Sequence, residues 1–136
     1  MNADPKIAVI IVNWKKYDFT LKCIESVINS SFKNFKIILI DNEYQKSMSD
    51  QLKKSKKIHL IKNRKNEGFA RANNQGIKYS IKNGFDYILL LNNDTLVKNN
   101  LLDLLIKQSN TLNQKIIQPL ILNYDGTRIW NAGGTI

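Results

Sequence analysis

Apolar residues in this chain form short unbroken runs, and the run at residues 87–91 (YILLL) ends abruptly in Asn92-Asn93-Asp94-Thr95. A strand that is apolar on both faces belongs to a sheet covered on both sides, the usual state of parallel sheets in α/β proteins. We therefore predict that this run forms a buried central strand that delivers Asp94 to its carboxyl end. Ligands of such sheets bind beyond the carboxyl ends of the strands, so the polar residues there are candidates for chemistry.

Three other apolar runs, at residues 6–13, 35–40 and 58–61, predict further strands. The last of them is short and flanked by lysines, so we expect it at an edge of the sheet. Between the strands, apolar residues recur at helical spacing: Leu21, Ile24, Val27 and Ile28; Phe69, Ala72, Gly76 and Ile77; and Leu101, Leu104 and Leu105. A short helix is also predicted at about residues 47–54. Alternating strands and helices favour an α/β fold with a mostly parallel sheet and right-handed crossovers.

The end of the chain carries a different pattern. Residues 115–118 and 120–122 predict strands separated by Pro119, and Asp125-Gly126 predicts the turn of a C-terminal β-hairpin that continues into residues 127–130. No repeat, linker or low-complexity tract divides the 136 residues. One domain over residues 1–136 is therefore expected.

Composition excludes several classes of protein. No apolar run approaches the roughly 18 residues that span a bilayer, and the first residues lack the plan of a signal peptide, so a cytoplasmic location is expected. With one cysteine, Cys23, and one histidine, His59, the chain offers neither an internal disulfide nor a Cys/His zinc site. We expect Cys23 to be a small buried residue and His59 to have a structural role.

The net charge of +10 could attract phosphates, nucleic acid or an anionic membrane surface, and basic residues crowd the segment 53–65. Lysines are frequent throughout the chain, however, and exposed lysines are ordinarily just solvated. No zinc finger or RNA-binding aromatic motif is present, so no nucleic-acid partner is predicted. Weak association with a membrane surface stays open.

Two strands end in a carboxylate, Asp41 and Asp94. The chain has neither a Gly-x-Gly-x-x-Gly after its first strand nor a phosphate loop with Gly-Lys-Ser/Thr, so neither an ordinary dinucleotide fold nor a nucleotide hydrolase is supported. Asp94 with its neighbouring carboxamides could hold Mg²⁺ or Mn²⁺ when a phosphate completes the coordination shell. Alternatively, Asn92 and Asp94 only cap the next helix, and Asp41 is only a turn residue.

Four stretches, in order and at matching spacing, carry a family resemblance: residues 9–14 (VIIVNW), 38–42 (ILIDN), 66–76 (NEGFARANNQG) and 89–95 (LLLNNDT). In them the chain resembles the amino-terminal half of the inverting family 2 glycosyltransferases, and among these the rhamnosyltransferase-like members. The resemblance implies the Rossmann-like nucleotide-diphospho-sugar transferase fold called GT-A, here truncated. It covers essentially the whole chain.

The resemblance also implies site residues. The side chains and backbone expected to bind the nucleotide sugar are those of Val12, Trp14, Asp41, Gly68, Arg71, Asn74, Asn92 and Asn93. Asn92-Asn93-Asp94 occupies the place of the family's Asp-x-Asp motif, so Asp94 would bind a divalent cation, Mg²⁺ or Mn²⁺, that bridges the diphosphate. Such a cation makes the nucleoside diphosphate a better leaving group.

By the same resemblance, the complete enzyme would transfer a sugar, with inversion, from a UDP- or dTDP-linked donor to a glycan or lipid-linked acceptor in polysaccharide and cell-envelope biosynthesis. The reaction would take place in the cytoplasm or at the inner face of the membrane. Inversion needs a general base, which in the family lies beyond the metal motif and which no acidic residue of this chain matches. We therefore expect a donor-binding half that is poorly active or inactive by itself.

Two departures leave other readings open. In the family, Asp-Asn is often followed by Ser or Gly and a further Asp, whereas here Glu43 follows Asp41-Asn42, so the resemblance does not supply the second sugar-nucleotide contact of that loop. Because the general base is missing, a non-catalytic nucleotide-binding module is an alternative, and the basic charge keeps a peripheral membrane adaptor as another.

An apolar sheet edge near residues 116–122, or the terminal hairpin, could also bring copies of the chain together as a homo-oligomer.

Overall fold

The computed structural model describes residues 4–43, 52, 55–113 and 115–133. The chain divides into two compact units, Met1–Asn99 and Asn100–Ile136. The first unit contains β1 (Ile7–Asn13), α1 (Tyr17–Ile28), β2 (Phe35–Asn42), β3 (Ile58–Asn63), α2 (Phe69–Lys82) and β4 (Tyr87–Asn92). The second contains α3 (Leu101–Leu112), β5 (Ile121–Leu122) and β6 (Ile129–Asn131).

A four-stranded sheet in the order β3-β2-β1-β4 forms the first unit, and every neighbouring pair is parallel. The inner strands β1 and β2 are almost fully buried because they are rich in branched apolar residues that pack on both faces. The prediction of a mostly parallel α/β sheet is confirmed. So is the prediction that the short strand at residues 58–61 lies at an edge.

The central position predicted for residues 87–91 is wrong. β4 pairs with β1 on one side only, and in the described part of the chain no strand pairs with its other side. Its burial alternates, leaving Ile88 38% and Leu90 51% exposed. An apolar run alone does not distinguish an edge strand from a central one, because strand order depends on pairings between residues distant in sequence.

Helix α2 lies close to the sheet, as its small residues predicted. Its Ala72 packs into a core cluster with Ala8 and Ile10 of β1 and Ile38 and Ile40 of β2. A Cβ atom at Gly76 would lie 2.7 Å from Cγ2 of Ile10, so any larger residue would force the Ile10 side chain to shift.

The second unit contains the predicted hairpin. β5 and β6 are antiparallel, and the turn between them is closed by Asp125, whose Oδ1 accepts hydrogen bonds from the Thr127 backbone N–H at 2.8 Å and hydroxyl at 2.6 Å. These bonds lower the pKa of Asp125. Residues 115–118 do not form the predicted strand, and of the residues 116–122 only Ile121–Leu122 are in a strand, β5 of the hairpin.

Three other predictions concern single segments. The short helix predicted at residues 47–54 lies outside the described residues except for Leu52, which is helical and buried. Cys23 is buried, as expected. His59 stacks on Tyr79 of α2 with ring centroids 3.9 Å apart, which accords with a structural role.

Within the described ranges, no helix has both the length and the apolar character needed to cross a bilayer.

Candidate functional site

Each of the four parallel strands ends in an asparagine: Asn13, Asn42, Asn63 and Asn92. A cleft of about 400 Å³ opens at this end of the sheet. It is lined by Val12, Trp14, Lys16, Asn42, Asn66, Gly68, Phe69, Asn92, Asn93 and Asp94. The cleft therefore lies where parallel α/β sheets bind ligands.

A buried chain of hydrogen bonds supports one side of the cleft. Asn93 Nδ2 donates to Thr20 Oγ1 at 2.9 Å, Thr20 Oγ1 donates to Asn13 Oδ1 at 2.7 Å, and Asn13 Nδ2 donates to Asp41 Oδ1 at 2.9 Å. Thr20, Asn13 and Asp41 have no exposed surface. Because buried polar groups are costly to leave unpaired, these bonds fix the relative positions of the ends of β1, β2 and β4.

A second set of carboxamides fixes the loop before α2. Asn42 Nδ2 donates to Asn66 Oδ1 at 2.7 Å, while Asn42 Oδ1 accepts from Asn63 Nδ2 at 3.2 Å and from the Glu67 backbone N–H at 2.8 Å. Asn63 also exchanges two hydrogen bonds with Gln75 of α2. The loop then enters the helix through Gly68, at φ 82° and ψ 160°, a backbone region open essentially to glycine.

The Asp94 carboxylate is available as a metal ligand. Asp94 is exposed and lines the cleft, and no hydrogen bond or ion pair joins it to another described residue. Among the described residues no group of three or more His, Cys, Asp or Glu side chains could hold a metal. A single exposed carboxylate beside carboxamides is a hard-oxygen donor set of the kind through which proteins bind Mg²⁺, when substrate phosphates and water complete the shell.

Two titratable side chains border this region. The Cys23 thiol lies 3.5 Å from the Asn92 carbonyl oxygen, and burial, with a smaller contribution from the charge of Asp94, raises its pKa to about 12. Burial and then the negative charge of Asp41 raise the pKa of the Tyr17 phenol. Neither group ionises near neutral pH, so neither is a candidate for the general base.

The predicted site residues divide between the cleft and its surroundings. Those that line it are Val12, Trp14, Gly68, Asn92, Asn93 and Asp94. The other three do not: Asp41 is buried against Asn13, Arg71 is paired at 2.9 Å with Glu67, and Asn74 is exposed on α2.

Four lining residues were not predicted: Lys16, Asn42, Asn66 and Phe69. Asn42 and Asn66 lie in the stretches that carry the family resemblance, and the asparagine at every strand end is a signal that would have found Asn42. Phe69 is a large exposed aromatic residue at the start of α2. Lys16 has no comparable signal in a chain so rich in lysine.

The family model described as "Glycosyl transferase family 2" matches residues 8–133. The chain belongs to glycosyl transferase family 2. The resemblance stated from the four sequence stretches is thereby confirmed.

Two relatives illustrate the similarity of this family 2 chain to known sequences. It is 38% identical over 106 residues to a protein of Rickettsia bellii named "Uncharacterized glycosyltransferase", and that match covers 76% of this chain and 15% of the relative. It is 30% identical over 110 residues to the dTDP-rhamnosyl transferase RfbF of Shigella flexneri, covering 80% of this chain and 37% of the relative. The chain therefore spans well under half the length of these curated relatives.

Solved structures show the same fold. A mannosyltransferase from Pyrobaculum calidifontis, in complex with GDP-Man and Mn²⁺, superimposes with a TM-score of 0.69 at 12% identity, covering 79% of this chain and 33% of that one. S. aureus TarS 1-349, in complex with UDP-GlcNAc, has a TM-score of 0.67 at 12% identity, covering 78% and 31%. At this identity the likeness establishes the GT-A glycosyltransferase fold of the chain.

Proposed function

We propose that this family 2 chain is the donor-binding part of an inverting glycosyltransferase, in which the cleft holds a nucleoside diphosphate sugar. The observation that carries the proposal is the arrangement of the cleft, whose walls contain an exposed indole, Trp14, and a carboxylate, Asp94, that is unpaired among the described residues. An aromatic face suits a nucleobase, and a hard-oxygen ligand suits a cation on a diphosphate. The GDP-Man, UDP-GlcNAc and dTDP-rhamnosyl names among its neighbours and relatives support this substrate class.

The residues of the chain have distinct tasks in this proposal. Trp14 and Val12 border the base, and the loop ending at Gly68 brings the start of α2 to the cleft, where backbone N–H groups favour an anion. Lys16, the one cationic side chain among the residues that line the described cleft, adds attraction for phosphate. Asp94, with Asn92 beside it, would hold Mg²⁺ or Mn²⁺, which supplies Lewis-acid neutralisation of the departing nucleoside diphosphate.

The acceptor side of the reaction is assigned to no residue of this chain. Asp94 is the only carboxylate among the lining residues, and it is assigned to the cation, so no general base is available in the described cleft. We place the base and the acceptor site in a part of the enzyme beyond residues 1–136, as the greater length of the relatives suggests. The acceptor would be a glycan or a lipid-linked saccharide met at the cytoplasmic face of the membrane, where the net charge of +10 favours anionic lipid.

Titration calorimetry of UDP, dTDP and GDP, each with and without Mn²⁺, tests the proposal. We expect one of these nucleotides to bind in a Mn²⁺-dependent manner. Loss of an outer-shell partner alone lowers the affinity of a metal site roughly 10- to 100-fold. Asp94→Ala removes a direct ligand and should therefore weaken that binding by at least as much. Asp18→Ala, which removes an exposed carboxylate outside the cleft, is the matched control and should leave binding unchanged.

Two results would contradict the proposal. One is absence of binding by all three nucleotides in the presence of Mn²⁺. The other is binding that is equal with and without the metal and equal in the Asp94→Ala protein, since the carboxylate would then have no part in it. Salt-sensitive binding that does not depend on which nucleotide is offered would instead favour a basic adaptor.

A further inference from the structure

The loop that follows β1 has an unusual backbone. The Lys16 N–H donates to the Trp14 carbonyl oxygen at 2.8 Å, which closes a three-residue turn centred on Lys15. Lys15 has a φ of 62°, in the left-handed region that disfavours residues with a Cβ atom. Such strain persists only where surrounding contacts hold the residue in place.

Glu43, which ends the described part of the loop after β2, supplies those contacts. Its Oε2 accepts a hydrogen bond from Trp14 Nε1 at 2.9 Å and lies 3.8 Å from Lys15 Nζ. Its backbone carbonyl oxygen accepts a hydrogen bond from the Tyr17 hydroxyl at 3.4 Å. Glu43 itself has a φ of 121°, so both loops carry a strained residue at the point where they meet.

The two faces of the Trp14 ring differ. Lys15 Nζ lies over the ring, 5.2 Å from its centroid, at a distance typical of a cation–π contact. Trp14 lines the cleft whereas Lys15 does not. The ammonium group therefore lies against one face of an indole that also lines the cleft.

We propose that Glu43 is a positioning residue for the nucleobase: it holds the Trp14 indole by its N–H and holds Lys15 against one ring face, so that the opposite face is a preset stacking surface in the cleft. This inference rests on the proposed function, because it assumes that a nucleotide occupies the cleft. It assigns a role to Glu43, which stands where the family often has Ser or Gly after Asp-Asn.

Stability of the fold does not explain these contacts. Trp14 is 49% exposed, and the side chain of Glu43 is 44% exposed. Exposed ion pairs and hydrogen bonds add little to folding stability. A ring fixed before the ligand arrives, by contrast, loses less conformational entropy on binding, which strengthens the binding of the group that stacks on it.

The test compares a ligand that has a base with one that has none. Affinities of UDP, dTDP, GDP and inorganic pyrophosphate are measured with Mn²⁺ for the unmodified chain and for Glu43→Ala and Glu43→Gln. Base–aromatic stacking contributes about 1–3 kcal/mol per base. Glu43→Ala should lose part of this stacking, so the affinity for the nucleotide should fall about 5- to 20-fold. Pyrophosphate affinity should not change. Glu43→Gln retains an acceptor for the indole N–H and loses only an exposed ion pair. It should therefore lower the affinity for the nucleotide by less than about 3-fold.

A double-mutant cycle with Trp14→Ala identifies the residue through which Glu43 acts. Once the ring is gone, removing Glu43 should have no further effect on nucleotide affinity. Glu25→Ala, which removes an exposed carboxylate from α1, is the control and should match the unmodified chain. Thermal unfolding of each variant verifies that it is folded.

The outcomes separate this inference from the proposed function. If the unmodified chain binds a nucleotide and Glu43→Ala binds it equally well, or loses nucleotide and pyrophosphate affinity alike, the positioning role is overturned and the donor site stands. Additive effects of Glu43→Ala and Trp14→Ala would also overturn it. If the unmodified chain binds none of the three nucleotides, the proposed function fails, and the positioning role fails with it.

Discussion

Single residues differ in how far their chemistry depends on the fold, and Cys23 is a clear case. As a lone cysteine in sequence it predicts only a small buried side chain. In the structure it lies beneath the turn that carries Asp94, and burial together with that carboxylate raises its pKa to about 12. The thiol should therefore be inert in the folded protein although it lies next to the candidate metal ligand.

This burial predicts how stability depends on pH. The pKa of Cys23 is higher in the folded chain than its ordinary value of 9.0, so its contribution is fully present below about pH 9 and is lost as pH rises towards about 12. The free energy of unfolding should fall over that window by at most about 4 kcal/mol from this group. Urea titrations of the unmodified chain and of Cys23→Ala at several pH values measure the difference.

The Cys23→Ala protein retains every other titratable group, so it is the control for their contribution to the pH dependence. A pH dependence identical in the two proteins would contradict the prediction. So would rapid modification of the native thiol by Ellman's reagent at pH 8, since a buried neutral thiol should react only after unfolding.

Among the residues that line the cleft, most of those at or next to strand ends were predicted, but Asn42, at the end of β2, was not. Trp14, Asn92, Asn93 and Asp94 directly follow or complete apolar strands, and parallel pairing brings such ends together. Asp41 ends a strand too, but its side chain is buried against Asn13. Which way a side chain at a strand end points depends on its neighbours in space.

At the scale of the elements, α2 is positioned by small residues. Gly76 faces Ile10 and Ile40 so closely that an added Cβ would lie 2.7 Å and 3.0 Å from their side-chain atoms. The helix thereby rests directly on the inner strands, and its first residue, Phe69, reaches the cleft. The stripe of small residues on this helix could be recognised in the sequence, because a spacing of three or four residues places them on one face of a helix.

Gly76→Ala should therefore destabilise the chain although alanine is the better helix former. We expect a loss of about 1–3 kcal/mol, the usual cost of overpacking a core, against a helix-propensity gain of up to about 1 kcal/mol. Lys78→Ala, on the exposed side of the same helix, should change stability by less than about 0.5 kcal/mol. Urea unfolding measures both, and a Gly76→Ala protein as stable as the unmodified chain would show that the contact relaxes without cost.

The wrong prediction for the position of β4 in the sheet also concerns a whole element. Its five-residue apolar run equals those of β1 and β2 in character, yet β4 lies at the edge of the described sheet and exposes Ile88 and Leu90. Strand type is local information carried by side chains. Strand order is decided by which loops and helices let distant segments pair, and no pattern within the run encodes it.

At the scale of the whole molecule, the hairpin of the second unit exposes large apolar side chains. Leu122 and Ile129 are register partners across β5 and β6, and Trp130, next to Ile129, is 79% exposed. Apolar area of this kind is a common driving force for association. We propose that this hairpin, rather than an edge at residues 116–122, brings two copies of the chain together.

Sedimentation velocity over a range of protein concentrations tests this association. The mean sedimentation coefficient should rise with concentration for the unmodified chain, and Trp130→Ser should reduce the rise, because burial of an aromatic side chain contributes strongly to interfaces. Ile81→Ser removes another exposed apolar residue, from α2, and should leave the rise intact. A chain that stays monomeric at the highest concentration would rule the association out.

The amino-acid sequence alone determined most of the helices and strands, the parallel character of the sheet, the hairpin, the family and the candidate metal ligand. These depend on local patterns, such as apolar runs, helical spacing and polar residues directly after strands. Only the tertiary structure decided that β4 lies at the edge of the described sheet, that Asp41 is buried, and that Glu43 contacts Trp14 and Lys15. Such features arise from contacts between residues far apart in the chain, where the geometry of packing, and not the local pattern, selects the partner.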